Sequence, residues 1–252
     1  MADWTIDQRR EFLRDTVRLT ADFSQVDQHR GVPPPPVEKP FPANARRIDL
    51  VPPGRWAVGK IDLETAIARR RSHREYTSEP LSFDELSFLL WATQGVRERA
   101  GPHQVLRTVP SAGNRHAFET YVAALRVAGL APAFYRYLPL EHQLLFEFEE
   151  EQAERKLVRA CLDQHFVGTA AAVFLWTCIP YRMEWRYGPV AHKSLALDAG
   201  HVCQNLYLAC EAIGAGTCAI GAYHPHLVDK LLRIDGREEF TIYLAPVGKI
   251  RR

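Results

Sequence analysis

The sequence predicts an α+β fold in which helices flank a mixed or antiparallel central sheet. Three observations favour this class over a doubly wound parallel sheet. Predicted helices and strands alternate along the 252 residues. A predicted β-hairpin (residues 133–148) nevertheless comes before the most apolar strand (residues 169–179), which is unusual for a parallel sheet. No GxGxxG motif occurs, and Gly214-Ala215-Gly216 follows a helix instead of opening one, which argues against a Rossmann dinucleotide site.

The composition narrows the class of protein further. With 46% hydrophobic and 25% charged residues, the chain can form one large or two small globular domains. A formal net charge of +2 is too small to favour a nucleic-acid partner, so we expect a small-molecule or peptide-derived ligand. The 5 cysteines show no CxxC pair and the histidines no HExxH spacing, so we expect free buried thiols, no metal site and a cytoplasmic location. The charged N-terminal segment and the lack of a long apolar run predict neither a signal peptide nor a membrane span.

Residues 1–60 are predicted to form an N-terminal helix and a proline-rich arm, separate from a domain over residues 61–252. Apolar side chains such as Ile6, Phe12 and Leu13 recur among charges and predict an amphipathic helix from Thr5 to about Phe23. Residues 24–57 include four consecutive prolines and should be extended without ladder hydrogen bonds. The arm either runs over a protein surface, such as that of a partner subunit, or is a flexible tether, and the sequence leaves both open.

Five helices and six strands are predicted in the domain over residues 61–252. The predicted helices cover residues 61–71, 83–94, 151–165, 193–213 and 225–233. The predicted strands cover residues 119–127, 133–137, 143–148, 169–179, 217–221 and 240–247. Ser82-x-x-Glu85 forms a capping box for the second helix, and Gly214 suits the left-handed cap of the longest one. Strand 169–179 lacks polar alternation, so it should be central and covered on both faces.

A basic cluster lies at the end of the first helix of this domain, Arg69-Arg70-Arg71-Ser72-His73-Arg74. Within a helix, Arg70 and Arg74 would share a face because they are four residues apart. Such crowding fits an anion site, because the planar guanidinium group matches the oxygens of a phosphate. A solvated basic face is the alternative, since like charges at this spacing cost little.

Two further segments have compositions that suit ligand contact. The loop Pro110–Asn114 contains residues that tolerate positive φ, so its amides can be aimed at a ligand, although ordinary turns share this composition. Residues 181–188 combine aromatic side chains with arginines, which fits either a mobile lid over a planar ligand or simple packing. In that lid, Tyr187 suits the transfer or orientation of a proton, and Arg186 suits the stabilisation of negative charge.

Taken together, these motifs resemble the nitroreductase-like flavoproteins, and among them the SagB-type dehydrogenase branch. The resemblance covers roughly residues 61–250 and is carried by four segments, Arg70–Tyr76, Val109–Gly113, Gly200–Leu208 and Leu244–Gly248. It implies a nitroreductase-like α+β fold, an FMN cofactor and an interlocked homodimer with two active sites at the subunit interface.

The resemblance also implies roles for individual residues toward FMN. The phosphate, ribityl and pyrimidine side would be held by Arg70, Arg71, Ser72 and Arg74. Three residues would approach from the neighbouring subunit, Ser111, Ala112 and Asn114. Three would line the ring near its reactive nitrogen, Ala219, Ile220 and Gly221. Lys249 and Arg251 would stand in for a C-terminal lysine and arginine that many nitroreductases place on the phosphate.

The function implied is an FMN-dependent oxidoreductase that oxidises a peptide-derived or other natural-product intermediate, with the flavin as hydride acceptor. Arg186 and Tyr187 would form its catalytic pair, although azole-forming members carry a Lys-Tyr pair in this lid. One alternative is an NAD(P)H-dependent reductase of nitroaromatics or quinones. The other is a non-catalytic flavoprotein subunit of a modifying complex, in which residues 1–60 dock a biosynthetic partner.

Overall fold

The computed structural model describes residues 4–101 and 103–251 and contains a seven-stranded sheet between two layers of helices. The helices are α1 (Ile6–Arg14), α2 (Leu63–Arg69), α3 (Phe83–Gln94), α4 (Ala153–Ala160), α5 (Tyr181–Tyr187), α6 (Ala191–Ala212) and α7 (Pro225–Leu232). The strands are β1 (Arg47–Asp49), β2 (Val96–Gly101), β3 (Gln104–Arg107), β4 (Phe118–Ala124), β5 (Ala133–Leu138), β6 (Gln143–Phe148), β7 (Ala172–Cys178), β8 (Ala215–Thr217) and β9 (Phe240–Lys249).

The main sheet has the strand order β1-β6-β5-β4-β7-β9-β8, and every neighbouring pair is antiparallel. This confirms the α+β class and selects the antiparallel form of the predicted sheet. The predicted hairpin is β5–β6, and the predicted central strand is β7. Strands β2 and β3 form a separate two-stranded ribbon that the sequence did not predict.

Both faces of the sheet are covered, as the composition of β7 predicts. Phe174 and Trp176 point into the larger core, which contains the buried faces of α3 and α6. Val173 and Leu175 point to the opposite side, where α4 and α7 close a second core. Every residue of β7 is buried. Because successive side chains of a strand point to opposite faces, this means that neither face of β7 is exposed to solvent. All 5 cysteines are buried and free, in agreement with the sequence prediction.

The ends of two helices follow the predicted signals, and the ends of others do not. Ser82 and Glu85 form the reciprocal capping box of α3, and Gly214 adopts φ +65° after α6. The predicted N-terminal helix is too long, because Asp15 takes a left-handed conformation (φ 60°) and ends α1 at Arg14. In the described part of the chain, each helix is too short or too polar to cross a lipid bilayer.

The proline-rich arm lies on the surface of its own chain. β1 extends the sheet by pairing with β6. Two buried arginines bind the proline-rich segment through its backbone. Arg107 donates to the Val37 carbonyl at 2.8 Å, and Arg136 donates to the Lys39 carbonyl at 2.8 Å. The arm therefore uses backbone carbonyls as its anchors, which suits a segment whose prolines lack N–H donors.

A buried ion cluster lies beneath the arm. The carboxylate of Glu119 on β4 contacts Arg182 at 2.5 Å and Arg136 at 3.5 Å, and it accepts the Lys39 amide at 2.8 Å. Glu119 is 3% exposed. Burial opposes ionisation of Glu119, but the two arginines outweigh it and hold the pKa of the carboxyl below its usual value. One carboxylate thus links the arm, β5 and α5.

Candidate functional site

The basic cluster is not helical, which corrects the sequence prediction. α2 ends at Arg69, and Arg70 turns away with φ −50° and ψ 122°. Ser72 forms a parallel bridge with Thr217 of β8, and the His73 amide donates to the Thr217 carbonyl at 2.9 Å. Pairing with the edge of the sheet therefore overrides the helical pattern of the sequence.

As a consequence, Arg70 and Arg74 do not share a helical face. The Arg70 guanidinium lies over the ring of Tyr207 at 5.2 Å, whereas that of Arg74 lies over the ring of Phe166 at 5.9 Å. Arg70 instead joins a cleft of about 510 Å³, here called the basic cleft. Its ionisable lining consists of Arg69, Arg70, Arg71, His73, Glu211 and Arg251. The excess of guanidinium groups over carboxylates fits an anionic ligand.

Tyr207 connects the basic cleft to the segment after β8. Its hydroxyl lies 2.9 Å from the Ser72 hydroxyl and accepts the Ala219 amide at 2.8 Å. Tyr207 lay inside one of the segments quoted for the family resemblance but received no role there. No local signal could have found it, because its partners are far away in the sequence.

The predicted ring-lining segment, residues 219–221, is held at two of its three amides. The Ala219 amide donates to Tyr207, and the Ile220 amide donates to the Leu244 carbonyl at 2.8 Å in an isolated bridge with β9. Gly221 is exposed, and its amide makes no hydrogen bond to the described residues. Of the three predicted residues, Gly221 therefore keeps a backbone donor for a ligand.

The predicted loop at residues 111–114 docks on a different part of α6. The Ala112 amide donates to the Asp198 carboxylate at 3.1 and 3.3 Å. Burial raises the pKa of Asp198, and hydrogen bonds from Ser111 and Ala112 oppose that rise. Asp198 precedes Tyr207 by nine residues, which is about 13 Å along a helix at 1.5 Å per residue. The loop and Tyr207 therefore contact α6 about two and a half turns apart.

Arg186 and Tyr187 rest directly on this loop. Gly113 has φ +56°, and a Cβ placed there would lie 2.4 Å from the Tyr187 hydroxyl and 2.9 Å from Arg186 Nε. Beside it, Asn114 Oδ1 lies 2.7 Å from His116 Nε2, while the Asn114 Nδ2 is buried without a partner among the described residues. The structure therefore brings the predicted catalytic pair together with the predicted loop.

The segment predicted as a lid forms a helix, α5, that is held from two sides. On its outer side, the Gln28 amide donates to the Trp185 carbonyl at 2.9 Å, and Trp185 Nε1 donates to the Val32 carbonyl at 2.9 Å. The Tyr181 hydroxyl adds a third bond, to Asp27 at 2.8 Å. On its inner side, Arg182 is paired with Glu119. The arm is thus the outer support of α5.

The two predicted C-terminal residues have different surroundings. Arg251 lines the basic cleft with Arg70. The Lys249 ammonium contacts the Glu85 carboxylate and the Ile213 carbonyl, and its side chain is 13% exposed. The structure therefore places Arg251, but not Lys249, beside the other cationic groups of the cleft.

The fit between Gly113 and α5 can be tested without a ligand. Gly113→Ala is expected to cost about 1–2 kcal/mol of stability, because an L-residue is strained at φ +56°, and to displace Arg186 and Tyr187. Trypsin should then cleave after Arg186 several-fold faster in limited proteolysis. Gly129→Ala is the matched control: it has φ +78° but no atom within 4 Å of the added Cβ. Equal cleavage rates in the two variants would contradict this account.

An antiparallel sheet between helical layers, with a cationic cleft at its edge, defines an α+β ligand-binding domain. The model of the nitroreductase family matches residues 67–249. The chain therefore belongs to the nitroreductase family and is an oxidoreductase by class.

Two relatives are similar in sequence, and the chain covers a different share of each. A candidate nitroreductase of Methanocaldococcus jannaschii, MJ1384, is 34% identical over 192 residues, which are 76% of this chain and 93% of that protein. The trifolitoxin-processing protein TfxB of Rhizobium leguminosarum bv. trifolii is 25% identical over 224 residues, which are 85% of this chain and 60% of TfxB.

Solved structures show the same fold. A candidate nitroreductase from Anabaena variabilis has a TM-score of 0.68 at 29% identity, over 83% of this chain and 42% of that one. A chain of the Escherichia coli microcin synthetase McbBCD complex with truncated pro-MccB17 bound has a TM-score of 0.61 at 17% identity, over 96% and 94% of the two chains. A candidate nitroreductase from Desulfovibrio desulfuricans, solved in complex with FMN, has a TM-score of 0.53 at 18% identity, over 77% and 88%.

Proposed function

We propose that this protein is an FMN-dependent oxidoreductase of the SagB-type branch that oxidises a peptide-derived intermediate. The observation that carries the proposal is the junction at Tyr207, where two predicted flavin-contacting segments, represented by Ser72 and Ala219, meet beside the basic cleft. These segments are separated by more than a hundred residues in the sequence, and the fold brings them to one edge of the sheet. Their meeting there is what a single bound nucleotide requires.

The residues at this edge fit FMN. Arg70, Arg71 and Arg251 supply guanidinium forks for the phosphate. The exposed Ser72 hydroxyl and the Gly221 amide supply neutral donors for the polar edge of the cofactor. When bound, FMN accepts two electrons as a hydride from the substrate.

We propose that a second copy of the chain completes each site. The loop with Ser111, Ala112 and Asn114 docks on α6 at Asp198, apart from Tyr207, and in this proposal it is the half-site that serves the partner's flavin. An apolar groove of about 430 Å³ between α2, α3 and α6 supports such a contact. Leu63 at its rim is 66% exposed, and Ile67 on the same helix is 57% exposed. Exposed apolar side chains of this kind mark protein interfaces.

In this proposal α5 supplies the polar groups over the reacting atoms. Tyr187 would hold or transfer the proton that leaves the substrate, because a phenol can donate and accept a hydrogen bond. Arg186 would stabilise negative charge that develops on the substrate, since it remains protonated. Their contact with Gly113 fixes both side chains at the half-site on the loop.

The proposed substrate class rests on the similarity to TfxB, which is named for trifolitoxin processing, and on the fold shared with a chain of the microcin synthetase complex. A biosynthetic partner protein would bind at the N-terminus. Residues 26–57 are already bound to their own chain, which leaves α1 and the turn after it. There Phe12 is 39% and Leu19 is 85% exposed, and both line a cavity of about 690 Å³.

The cofactor proposal is tested by FMN titration of the apoprotein. Arg70→Gln is expected to weaken FMN binding about 10- to 100-fold, because hydrogen bonds between charged groups contribute about 1.5–3 kcal/mol. Arg155→Gln, an exposed arginine on α4, is the control and should bind like the wild type. Wild-type protein that is colourless once unbound FMN has been removed by gel filtration would refute the proposal.

Anaerobic mixing separates the proposed reaction from its alternatives. A thiazoline-containing peptide should bleach the bound flavin if the protein is a dehydrogenase of that substrate. Bleaching by NADPH but not by the peptide would instead support a reductase of nitroaromatics or quinones. Bleaching by neither would support a non-catalytic flavoprotein subunit.

A further inference from the structure

Tyr207 stands at a junction of three elements that the proposed flavin site requires. It belongs to α6, its hydroxyl bonds the segment after α2 through Ser72, and the same oxygen accepts the amide of Ala219 after β8. The Arg70 guanidinium covers its ring at 5.2 Å. A half-buried phenol with two hydrogen bonds at its oxygen and a guanidinium group over one face has little freedom to move.

The chemistry of the groups fixes the direction of the hydrogen bond between Ala219 and Tyr207, and either hydroxyl can donate in the bond between Tyr207 and Ser72. A backbone amide can only donate, so the Tyr207 oxygen accepts from Ala219. The phenol proton is then free to point at Ser72, which lies 2.9 Å away. Ser72 in turn keeps its own proton for a group outside the chain, and it is exposed. Three donors in series polarise one another, which strengthens the last of them.

The junction also decides which amide of residues 219–221 is available to a ligand. Tyr207 takes the Ala219 amide, and β9 takes the Ile220 amide through Leu244. The Gly221 amide is left without a hydrogen bond to the described residues. If Tyr207 lost its hydroxyl, the Ala219 amide would lack its partner, and the segment could rotate to expose a different donor.

We propose that Tyr207 is a positioning residue for the flavin: it fixes the Ser72 hydroxyl and the Gly221 amide in one rigid frame without being a catalytic residue. This inference rests on the proposed function for the identity of the ligand. The link between Tyr207 and Ala219 can be measured in the apoprotein.

Tyr207→Phe is the test, because it removes the hydroxyl and keeps the ring under Arg70. FMN should bind about 10- to 100-fold more weakly to this variant, since the loss leaves an amide unsatisfied. The visible bands and the reduction potential of the bound flavin should also shift. Tyr135→Phe is the matched control. Tyr135 lies on β5, away from the cleft, and its hydroxyl donates to the Ala131 carbonyl at 2.8 Å. That variant should match the wild type in all three measurements.

Ser72→Ala provides a second test should Tyr207→Phe fold poorly. It cuts the link at its other end and should also weaken FMN binding. The double variant should lose less than the sum of the two single losses, because the residues act through one link. Additive losses, or wild-type affinity and spectrum in Tyr207→Phe, would overturn the proposal.

Hydrogen exchange in the apoprotein separates a wrong ligand from a wrong junction. The Ala219 amide should exchange faster in Tyr207→Phe than in the wild type, with no change in Tyr135→Phe. If that holds while the wild type fails to bind FMN, the junction exists and the proposed flavin function is wrong. If Ala219 exchanges equally in both, the positioning role itself is refuted.

Discussion

Glu119→Gln is expected to lower the free energy of unfolding by about 3–5 kcal/mol, because it leaves the buried Arg182 guanidinium without its counter-charge and leaves Arg136 with Glu147 alone. Glu119 is the shared partner of Arg136 and Arg182, which are themselves 2% exposed. Glutamine has nearly the same shape, so the loss measures charge and not a cavity. Urea denaturation gives the value directly.

The control for this experiment is an ion pair at the surface. Glu154→Gln removes a carboxylate that is 57% exposed and lies 3.7 Å from Arg126. Such pairs contribute between 0 and about 1 kcal/mol, so this variant should be near the wild type. A loss below 1 kcal/mol in Glu119→Gln would show that the cluster tolerates the missing charge. The Glu119→Gln substitution should also loosen α5 and the arm, because Arg182 of α5 and the Lys39 amide of the arm both bind Glu119.

The second large effect depends on pH and concerns Glu38 in the arm. Glu38 accepts the Leu140 amide at 3.2 Å in the turn between β5 and β6. Burial raises its pKa from 4.5 to about 7, and the Leu140 amide and Arg107 oppose that rise. Between these two values the folded state keeps a proton that the unfolded state has lost, so stability falls as the pH rises from 4.5 to about 7.

Glu38→Gln is therefore expected to become more stable relative to the wild type as the pH rises. Glutamine is neutral throughout and can still accept the Leu140 amide. The difference should grow by about 3 kcal/mol from acid to neutral pH, as the change in pKa dictates. Urea unfolding at pH 4.5 and pH 8 measures it. A difference between Glu38→Gln and the wild type that does not vary with pH would contradict the prediction.

Local patterns in the sequence predicted much of the fold. The capping box at Ser82 and Glu85, the hairpin β5–β6 and the apolar strand β7 each depend on neighbouring residues, and each is present. The end of α2 could not be found in this way. Arg70 to Arg74 follow a helical spacing, but the bridge between Ser72 and Thr217 joins residues far apart in the chain.

The same limit applies to the candidate site. Composition singled out the arginine cluster and the loop at Gly113 as candidates, because guanidinium groups match phosphate oxygens and small residues let backbone amides approach a ligand. It could not assign Tyr207, whose partners are Ser72 and Ala219, nor the support that the arm gives to α5. Those contacts depend on which surfaces the fold places side by side, and no short-range periodicity records that.

The pairing of β1 with β6 changes where this protein can be shortened. The family match begins at residue 67, yet Arg47–Asp49 covers the hydrogen-bonding edge of β6. A protein cut back to the matched region would expose that row of amides and carbonyls, which is a template for intermolecular strand pairing. The proline-rich segment thus shields the sheet against aggregation, and the smallest soluble fragment should begin upstream of Arg47.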